Sequence, residues 1–354
     1  MKPRVVRPVV RLVLMSLVVI GSYSIPPQQM VVTCGRPAAV GVLASPDSSA
    51  DGTGLLRLIR TQERLGAVVG MAVISIGGDS LVFAHNALSP LIPASNQKLL
   101  VTASSWAVWD DSLVRDLRRS IAPRPAKGRV QTASRTARRG GKRTPVPAAP
   151  RVDTTPIWNR EQDPLTGLPG WDLLCRIHKW SDNFVANRLA ECLARRKSDT
   201  LQAIVRAFLD REGAWSGGLN VVDGSGRSPR NRAAALSIAH ALRLMFRADR
   251  RDAYTRSLAR PGLDGTLRRH SFNLWDKVAA KTGSISGVYS LSGYLYGESD
   301  TLAFSILLNQ YYSKSGAFSF FRSALRQLGR QVGAIERVRV EPRRRTARQR
   351  RRRV

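Results

Sequence analysis

The strand-forming segments of this chain lie near its two ends, and that placement limits the folds open to it. Residues 67–76 (AVVGMAVISI) form an apolar, β-branched run. Gly77-Gly78-Asp79 supplies turn chemistry before a second strand candidate, Ser80–His85, and the pair predicts a β-hairpin. Far along the chain, Gly287–Tyr296 and Thr301–Asn309 flank a Gly-Glu-Ser-Asp turn. Between them the spacing is helical. Pro93 precedes a helix over Ala94–Trp109, and helices over Trp171–Trp180 and Phe184–Arg195 flank Ser181-Asp182-Asn183. Further helices are expected over Thr200–Glu212, Ala233–Arg247 and Gly316–Leu328, the last stopped by Gly329. Strands, many helices, then strands and a helix imply an α+β fold in which the two ends of the chain build one antiparallel sheet beside a helical subdomain.

Charge divides the chain further. Of 354 residues, 57 are Lys or Arg and 25 are Asp or Glu, a net charge of +32. Residues 118–151 carry eleven Lys/Arg and no acid, and 343–353 carry eight Arg and no acid, so more than half of the excess lies in two stretches. The first has almost no large apolar side chain to offset its ordering entropy and is expected to be a basic low-complexity linker or insert. At the amino terminus, Lys2, Arg4, Arg7 and Arg11 precede the apolar run Leu12–Gly21 and small residues at Ser22 and Ser24. That is the pattern of a secretory signal, too short for a membrane span. The expected organisation is therefore a signal peptide (1–24), an N-terminal extension (25–64), a catalytic domain in two pieces (65–117 and 152–335), the basic insert, and an Arg-rich tail (336–354). Export to the periplasm or cell envelope follows. The basic stretches then suit an anionic wall polymer or membrane surface. They lack the interleaved aromatics of single-strand binders, so no specific nucleic acid is expected.

The chemistry-bearing residues exclude some classes and favour one. Cys34, Cys175 and Cys192 form no CxxC pair and no disulfide framework, and the four histidines are scattered with no HExxH, so neither a metal nor another cofactor is expected. An antiparallel pairing of the helices around Ser181 would offset Cys175 from Cys192 by several ångströms, which disfavours a bridge. Three short motifs occur in order: Ser95-Asn96-Gln97-Lys98, Ser181-Asp182-Asn183 and Lys281-Thr282-Gly283. Ser95 opens a helix, where backbone N–H groups favour developing negative charge. Lys98 falls one turn on, on the same face. A serine needs a base to become a nucleophile, and with no suitably placed histidine a neutral lysine is the candidate, its neutral form favoured by burial beside a second cation such as Lys281. In the break between two helices Ser181 is placed to pass a proton to a leaving group and Asn183 to hold a substrate amide, although Ser-Asp-Asn also serves as an ordinary helix cap. Lys281-Thr282-Gly283-Ser284 is read as the end of a polar approach to the strand Gly287–Tyr296; there Gly283 permits close backbone approach of a substrate, while Lys281, Thr282 and Ser284 suit a terminal carboxylate.

S-x-x-K, S-D-N and K-T-G in this order resemble the signature of penicillin-binding proteins and class A β-lactamases. Three further stretches carry a narrower resemblance. Leu91–Leu100 (LIPASNQKLL), Val222–Arg232 (VDGSGRSPRNR) and Pro261–Arg268 (PGLDGTLR) are similar to the P-A-S-x-x-K-L, D-G-S-G-L-S-x-x-N-R and G-x-D-G-T-L-(K/R) segments of the low-molecular-mass class C (DacB-like) penicillin-binding proteins, the D-alanyl-D-alanine carboxypeptidases/endopeptidases. The resemblance covers about residues 65–117 and 155–328. It implies a β-lactamase/transpeptidase-like fold and an acyl-enzyme on Ser95 with Lys98 as base. Ser181, Asn183 and Lys281 complete the catalytic network, Thr282, Gly283 and Ser284 bind substrate, and the backbone N–H groups of Ser95 and Ser284 form the oxyanion hole. Peptidoglycan stem peptides are the implied substrates and β-lactams the inhibitors. Ser95 and Ser181 are only 86 residues apart, whereas the family places a long folded insertion there. That spacing keeps two alternatives open: a class A-like β-lactamase, for which Glu212 is the nearest but wrongly spaced deacylating glutamate, and a catalytically weak wall-binding scaffold.

Overall fold

Strand β1 (Val68–Ser75) has almost no polar face, and the structure shows why: both of its faces are covered. The computed structural model describes residues 50–122, 160–249, 251–274 and 276–334. The expected signal peptide, the extension up to residue 49, the insert beyond residue 122 and the Arg-rich tail lie outside the described residues. β1 pairs with β2 (Ser80–His85) as the expected hairpin. On its other side it pairs with β5 (Thr301–Asn309), in antiparallel register from Val68↔Asn309 to Ser75↔Leu302. β4 (Val288–Tyr296) and β3 (Val278–Ile285) complete one five-stranded antiparallel sheet of order β2-β1-β5-β4-β3. The two ends of the chain thus build the sheet, as the sequence implied.

Each face of the sheet buries its own core. On one, Val69, Met71 and Val73 of β1 and Phe304, Ile306 and Leu308 of β5 pack with two helices, α1 (Ala50–Arg64) through Leu55 and Ile59 and the C-terminal helix (Lys314–Gln331) through Phe320, Phe321, Leu325 and Leu328. On the other, Ala72, Ile74 and Leu307 meet α2 (Gln97–Ser105), α6 (Leu201–Arg211) and α7 (Ala235–Arg247). A third core, with Trp109, Trp171, Leu174 and Leu189, joins α3 (Asp111–Ile121), α4 (Trp171–His178) and α5 (Asn183–Lys197) into the helical subdomain. Each fully buried Leu, Ile or Phe stabilises by about 1.5–3 kcal/mol, so these clusters hold the sheet and subdomain in fixed relation. The short helix α8 spans Arg251–Arg256, and the helix Lys314–Gln331 is α9.

Three local expectations are revised. Residues 50–64 are a helix against α9 and not part of a separate extension; Gly54 lies directly on Gln327. Helix α3 continues to Ile121, so the first basic residues after position 117 are helical, and Arg118 pairs with Asp172 at 2.7 Å. An ion pair to the subdomain gives this arginine a fold-building role that composition alone cannot reveal. Lys281-Thr282-Gly283 lies within β3, an edge strand, and not in a polar approach to the next strand.

Close packing of β3 on β4 depends on Gly293, where a Cβ would come within 2.1 Å of the Ala279 carbonyl and 2.5 Å of the Ala280 Cα. Gly293→Ala is expected to cost about 1–3 kcal/mol, read as a lower midpoint in urea unfolding; an unchanged midpoint would contradict this packing.

Candidate active site

The chain enters the site from the sheet. Ile92 is clamped to the end of β5 by Asn309, whose Oδ1 accepts from the Ile92 N–H at 3.0 Å and whose Nδ2 donates to its carbonyl at 3.1 Å. A 3-10 turn, Ala94–Asn96, then leads into α2. Ala94 sits at φ 47, a left-handed conformation that alanine adopts only under constraint. The constraint comes from both sides. Ser290 of β4 donates to the Pro93 carbonyl at 2.8 Å. The Asn96 amide lies 2.7 Å from the Ser292 hydroxyl and 2.8 Å from the Lys281 carbonyl. Strand β3 passes so near that a Cβ on Gly283 would stand 2.9 Å from the Ser95 nitrogen and 3.0 Å from the Pro93 carbonyl. Gly283 is therefore required first for docking the strand against the turn that carries Ser95, which its reading as a substrate-approach residue did not include.

Lys98 reaches back one helical turn to Ser95, Nζ to Oγ 2.9 Å, as the i, i+3 spacing implied. The same Nζ lies 2.8 Å from Asn183 Oδ1 and 2.5 Å from the Ser225 carbonyl. Its side chain is fully buried. That burial lowers its pKa from 10.5 to about 7, with Asp223 and Asp182 pulling it upward and Arg227 downward. An ammonium has three donors, and three acceptors surround it. As a neutral amine it has two N–H bonds and one lone pair. Asn183 Oδ1 and the Ser225 carbonyl only accept, so they take the two N–H bonds and the lone pair faces the Ser95 hydroxyl.

Lys281 is also fully buried, and burial followed by the charge of Lys98 pushes its pKa well below the ordinary value. Its Nζ donates to the Thr282 carbonyl at 2.8 Å, and its coupling to Lys98 is through charge. Thr282 is half-buried and donates to the Thr266 hydroxyl at 2.8 Å, and Ser284 is exposed on the same strand. Behind the lysines, His178 is buried with Nε2 2.9 Å from the Thr102 hydroxyl and Nδ1 2.7 Å from Ser257. Burial, then the charges of Lys281 and Lys98, keep it neutral. Both its nitrogens are occupied by Thr102 and Ser257 and not by Ser95. Asn183 heads α5, whose N-cap is Asp182, accepting from Val185 N at 3.0 Å. Ser181 is half-buried at φ 59 in the turn before it. Among the described residues no hydrogen bond joins the Ser181 hydroxyl to Ser95 or Lys98. The three motifs therefore meet, with Ser181 on the rim of the cluster and not bonded within it.

Some site residues were missed from sequence. The Ser225 carbonyl is a backbone atom and leaves no residue-type signal, although the D-G-S-G segment that holds it is distinctive in the sequence. Asn96 occupies an unspecified position of S-x-x-K. Thr266 lies in the D-G-T-L segment, whose Asp264 pairs with the buried Lys179 ammonium just before Ser181. Cys175 and Cys192 are free and buried, and burial pushes the Cys175 thiol up to about 12. Glu212 ends α6 and pairs with Arg211 at 2.8 Å, with no bond to the cluster. Among the described residues no group of three or more His, Cys, Asp or Glu is arranged to hold a metal ion.

Comparison with known proteins gives this geometry a context. Residues 160–331 match the sequence profile of the D-Ala-D-Ala carboxypeptidase 3 (S13) family. The chain is similar to the S13 D-Ala-D-Ala carboxypeptidases. D-alanyl-D-alanine carboxypeptidase DacB of Haemophilus influenzae is 30% identical over 151 residues, a match spanning 40% of this chain and 32% of that relative. The solved structure of penicillin-binding protein 4 (dacB) from Haemophilus influenzae aligns at a TM-score of 0.56 and 16% identity, covering 79% of this chain and 99% of that one. A second structure of it contains a β-lactam. A β-lactamase from Sphaerobacter thermophilus aligns at a TM-score of 0.52 and 18% identity, over 80% of this chain and 99% of that one. The fold is the β-lactamase/transpeptidase fold, as the motif order implied. No helix among the described residues is long and apolar enough to cross a membrane.

The depressed pKa of Lys98 has a consequence for stability. Between pH 7 and 10.5 the unfolded chain binds a proton that the folded site rejects, so wild-type stability rises with pH across that window. Lys98→Met removes this contribution. Its stability relative to wild type is expected to improve as pH falls from 10.5 to 7 and to level off below. Denaturant titrations at several pH values check this; a pH-independent difference would mean that Lys98 is not held at low pKa.

Proposed function

We propose that the protein is a serine-type D-Ala-D-Ala carboxypeptidase acting on peptidoglycan stem peptides through an acyl-enzyme. The observation that carries this reading is the fully buried Lys98 amine, with a pKa near 7, 2.9 Å from the Ser95 hydroxyl. The Lys98 lone pair takes the Ser95 proton as Oγ attacks the carbonyl of the penultimate D-Ala. The developing oxyanion is received by the N–H groups of Ser95 and Ser284, which lie on adjoining segments because Gly283 lets β3 touch the nucleophile turn. Asn183, already bound to Lys98, presents its amide nitrogen to the substrate backbone. Thr282 and Ser284, with the field of Lys281, hold the terminal carboxylate. Ser181 carries a proton to the departing amine, which requires its hydroxyl to turn inward from the rim when substrate is bound. Collapse of the tetrahedral intermediate releases D-Ala, and water attacks the ester to regenerate Ser95. A β-lactam would follow the same first steps and leave a longer-lived ester.

Residue numbers and chemistry give a direct test. Fluorescent penicillin is expected to label the wild type covalently and leave Ser95→Ala unlabelled, and D-Ala is expected to be released from a stem-peptide mimic. The labelling rate is expected to fall on the acid side as Lys98 protonates, with a limb near pH 7. Equal labelling of both proteins would refute the assignment. Rapid turnover of penicillin would favour a β-lactamase, and folded protein without D-Ala release would favour a wall-binding scaffold.

A further inference from the structure

The D-G-S-G segment is wedged between the two elements that carry the reacting groups. A Cβ on Gly226, which sits at φ +80, would stand 1.8 Å from the Ala94 carbonyl of the nucleophile turn. A Cβ on Gly224 would stand 2.6 Å from the Ala186 carbonyl of α5. One carboxylate organises the segment. Asp223 Oδ1 accepts from the N–H groups of Ser225 (2.9 Å), Gly226 (2.5 Å) and Arg227 (3.2 Å) and from the Ser225 hydroxyl (3.0 Å). Oδ2 accepts from the Ser228 N–H at 2.7 Å and from Asn231 Nδ2 at 3.4 Å. This is far more bonding than a turn carboxylate needs. The loop bonds to Lys98 through the Ser225 carbonyl, 2.5 Å from Nζ.

We infer that the loop Asp223–Arg227 positions and tunes the Lys98 base: Asp223 fixes the carbonyl that aims the amine at Ser95 and supplies a negative charge behind it, and Arg227 opposes that charge. The inference rests on the proposed role of Lys98. A backbone carbonyl cannot be adjusted by substitution at its own residue, so its position is set by what grips the flanking N–H groups, and here that is Asp223. The grip also keeps Asp223 ionised: burial pushes its carboxyl up, but the N–H and hydroxyl donors outweigh burial and hold it below the usual range. Arg227 is exposed and its backbone N–H is held by Asp223 Oδ1 at 3.2 Å, which leaves a cation close enough to act on the Lys98 amine. Asp223 and Arg227 from this loop and Asp182 from the α5 cap act on the Lys98 amine, whose own charge bears on the two other titratable groups packed nearby, Lys281 of β3 and the neutral His178 of α4.

The test is the second-order rate of labelling by fluorescent penicillin, followed between about pH 5 and 9, for wild type, Asp223→Asn and Arg227→Gln. Removing the negative charge favours the neutral amine, so Asp223→Asn is expected to move the acid limb to lower pH. Loss of the Oδ2 bonds loosens the carbonyl and is expected to lower the plateau about tenfold or more. Arg227→Gln, a surface change, is expected to move the limb to higher pH with the plateau within about twofold, since no aiming bond is lost. A purely structural loop would lower the plateau without moving either limb. Unmoved limbs in Arg227→Gln and in folded Asp223→Asn overturn the inference; should Asp223→Asn fail to fold, Arg227→Gln decides alone. Absence of labelling in the wild type overturns the enzymatic reading and this inference with it, whereas a labelled wild type with unmoved limbs removes only the inference.

Discussion

Two lysines without solvent exposure, Lys98 of α2 and Lys281 of β3, with the charge of one bearing on the other, set the terms for the rest of this structure. Burying one ammonium is costly unless the charge is lost or every donor is met. Lys98 satisfies both conditions: its pKa falls to about 7, and its donors find Ser95, Asn183 and Ser225 from three separate segments. The demand for those three acceptors ties α2, α5 and the loop before α7 to one point. An exposed lysine in the same sequence position would tie none of them, because water would complete its shell.

The scaffold that meets this demand is stiff where the chemistry is. β5 lies in the middle of the sheet, buried on both faces, and its last residue, Asn309, clamps the segment that enters the Ser95 turn. β4 and β3 reach the same turn from the side through Ser290, Ser292 and the bare backbone of Gly283. Ala94 and Ser181 keep left-handed conformations on either side of the site. Strain of that kind persists only where the surroundings over-determine the backbone, and here tight packing and hydrogen bonds do so.

Much of this was legible in the sequence. The helices around Ser181-Asp182-Asn183, the hairpin of β1 and β2, and the last two strands appear within a residue or two of their expected bounds, because amphipathic spacing and turn residues act locally. S-x-x-K was legible as a single-turn contact for the same reason. Helices α1 and α3 were not expected. Leu55 and Ile59 of α1 are apolar for the sake of α9, which lies at the other end of the chain, and basic residues such as Arg118 at the end of α3 resemble the insert that follows. The K-T-G segment was misplaced because an edge strand with Lys, Thr and Ser has no apolar alternation to reveal it.

What the sequence determined by itself is the set of reactive groups and their local frames: an alcohol and an amine one helical turn apart, a polar break between two helices, and a glycine beside a third cluster. Tertiary structure alone decided which atoms meet. The third acceptor of Lys98 is a backbone carbonyl, its anchor is Asp223, and Ser181 stands at the rim while Asn183 reaches the amine. Those outcomes depend on distances between segments far apart in the chain, and such distances are set by the packing of three cores and one sheet, to which no single stretch of residues holds the key.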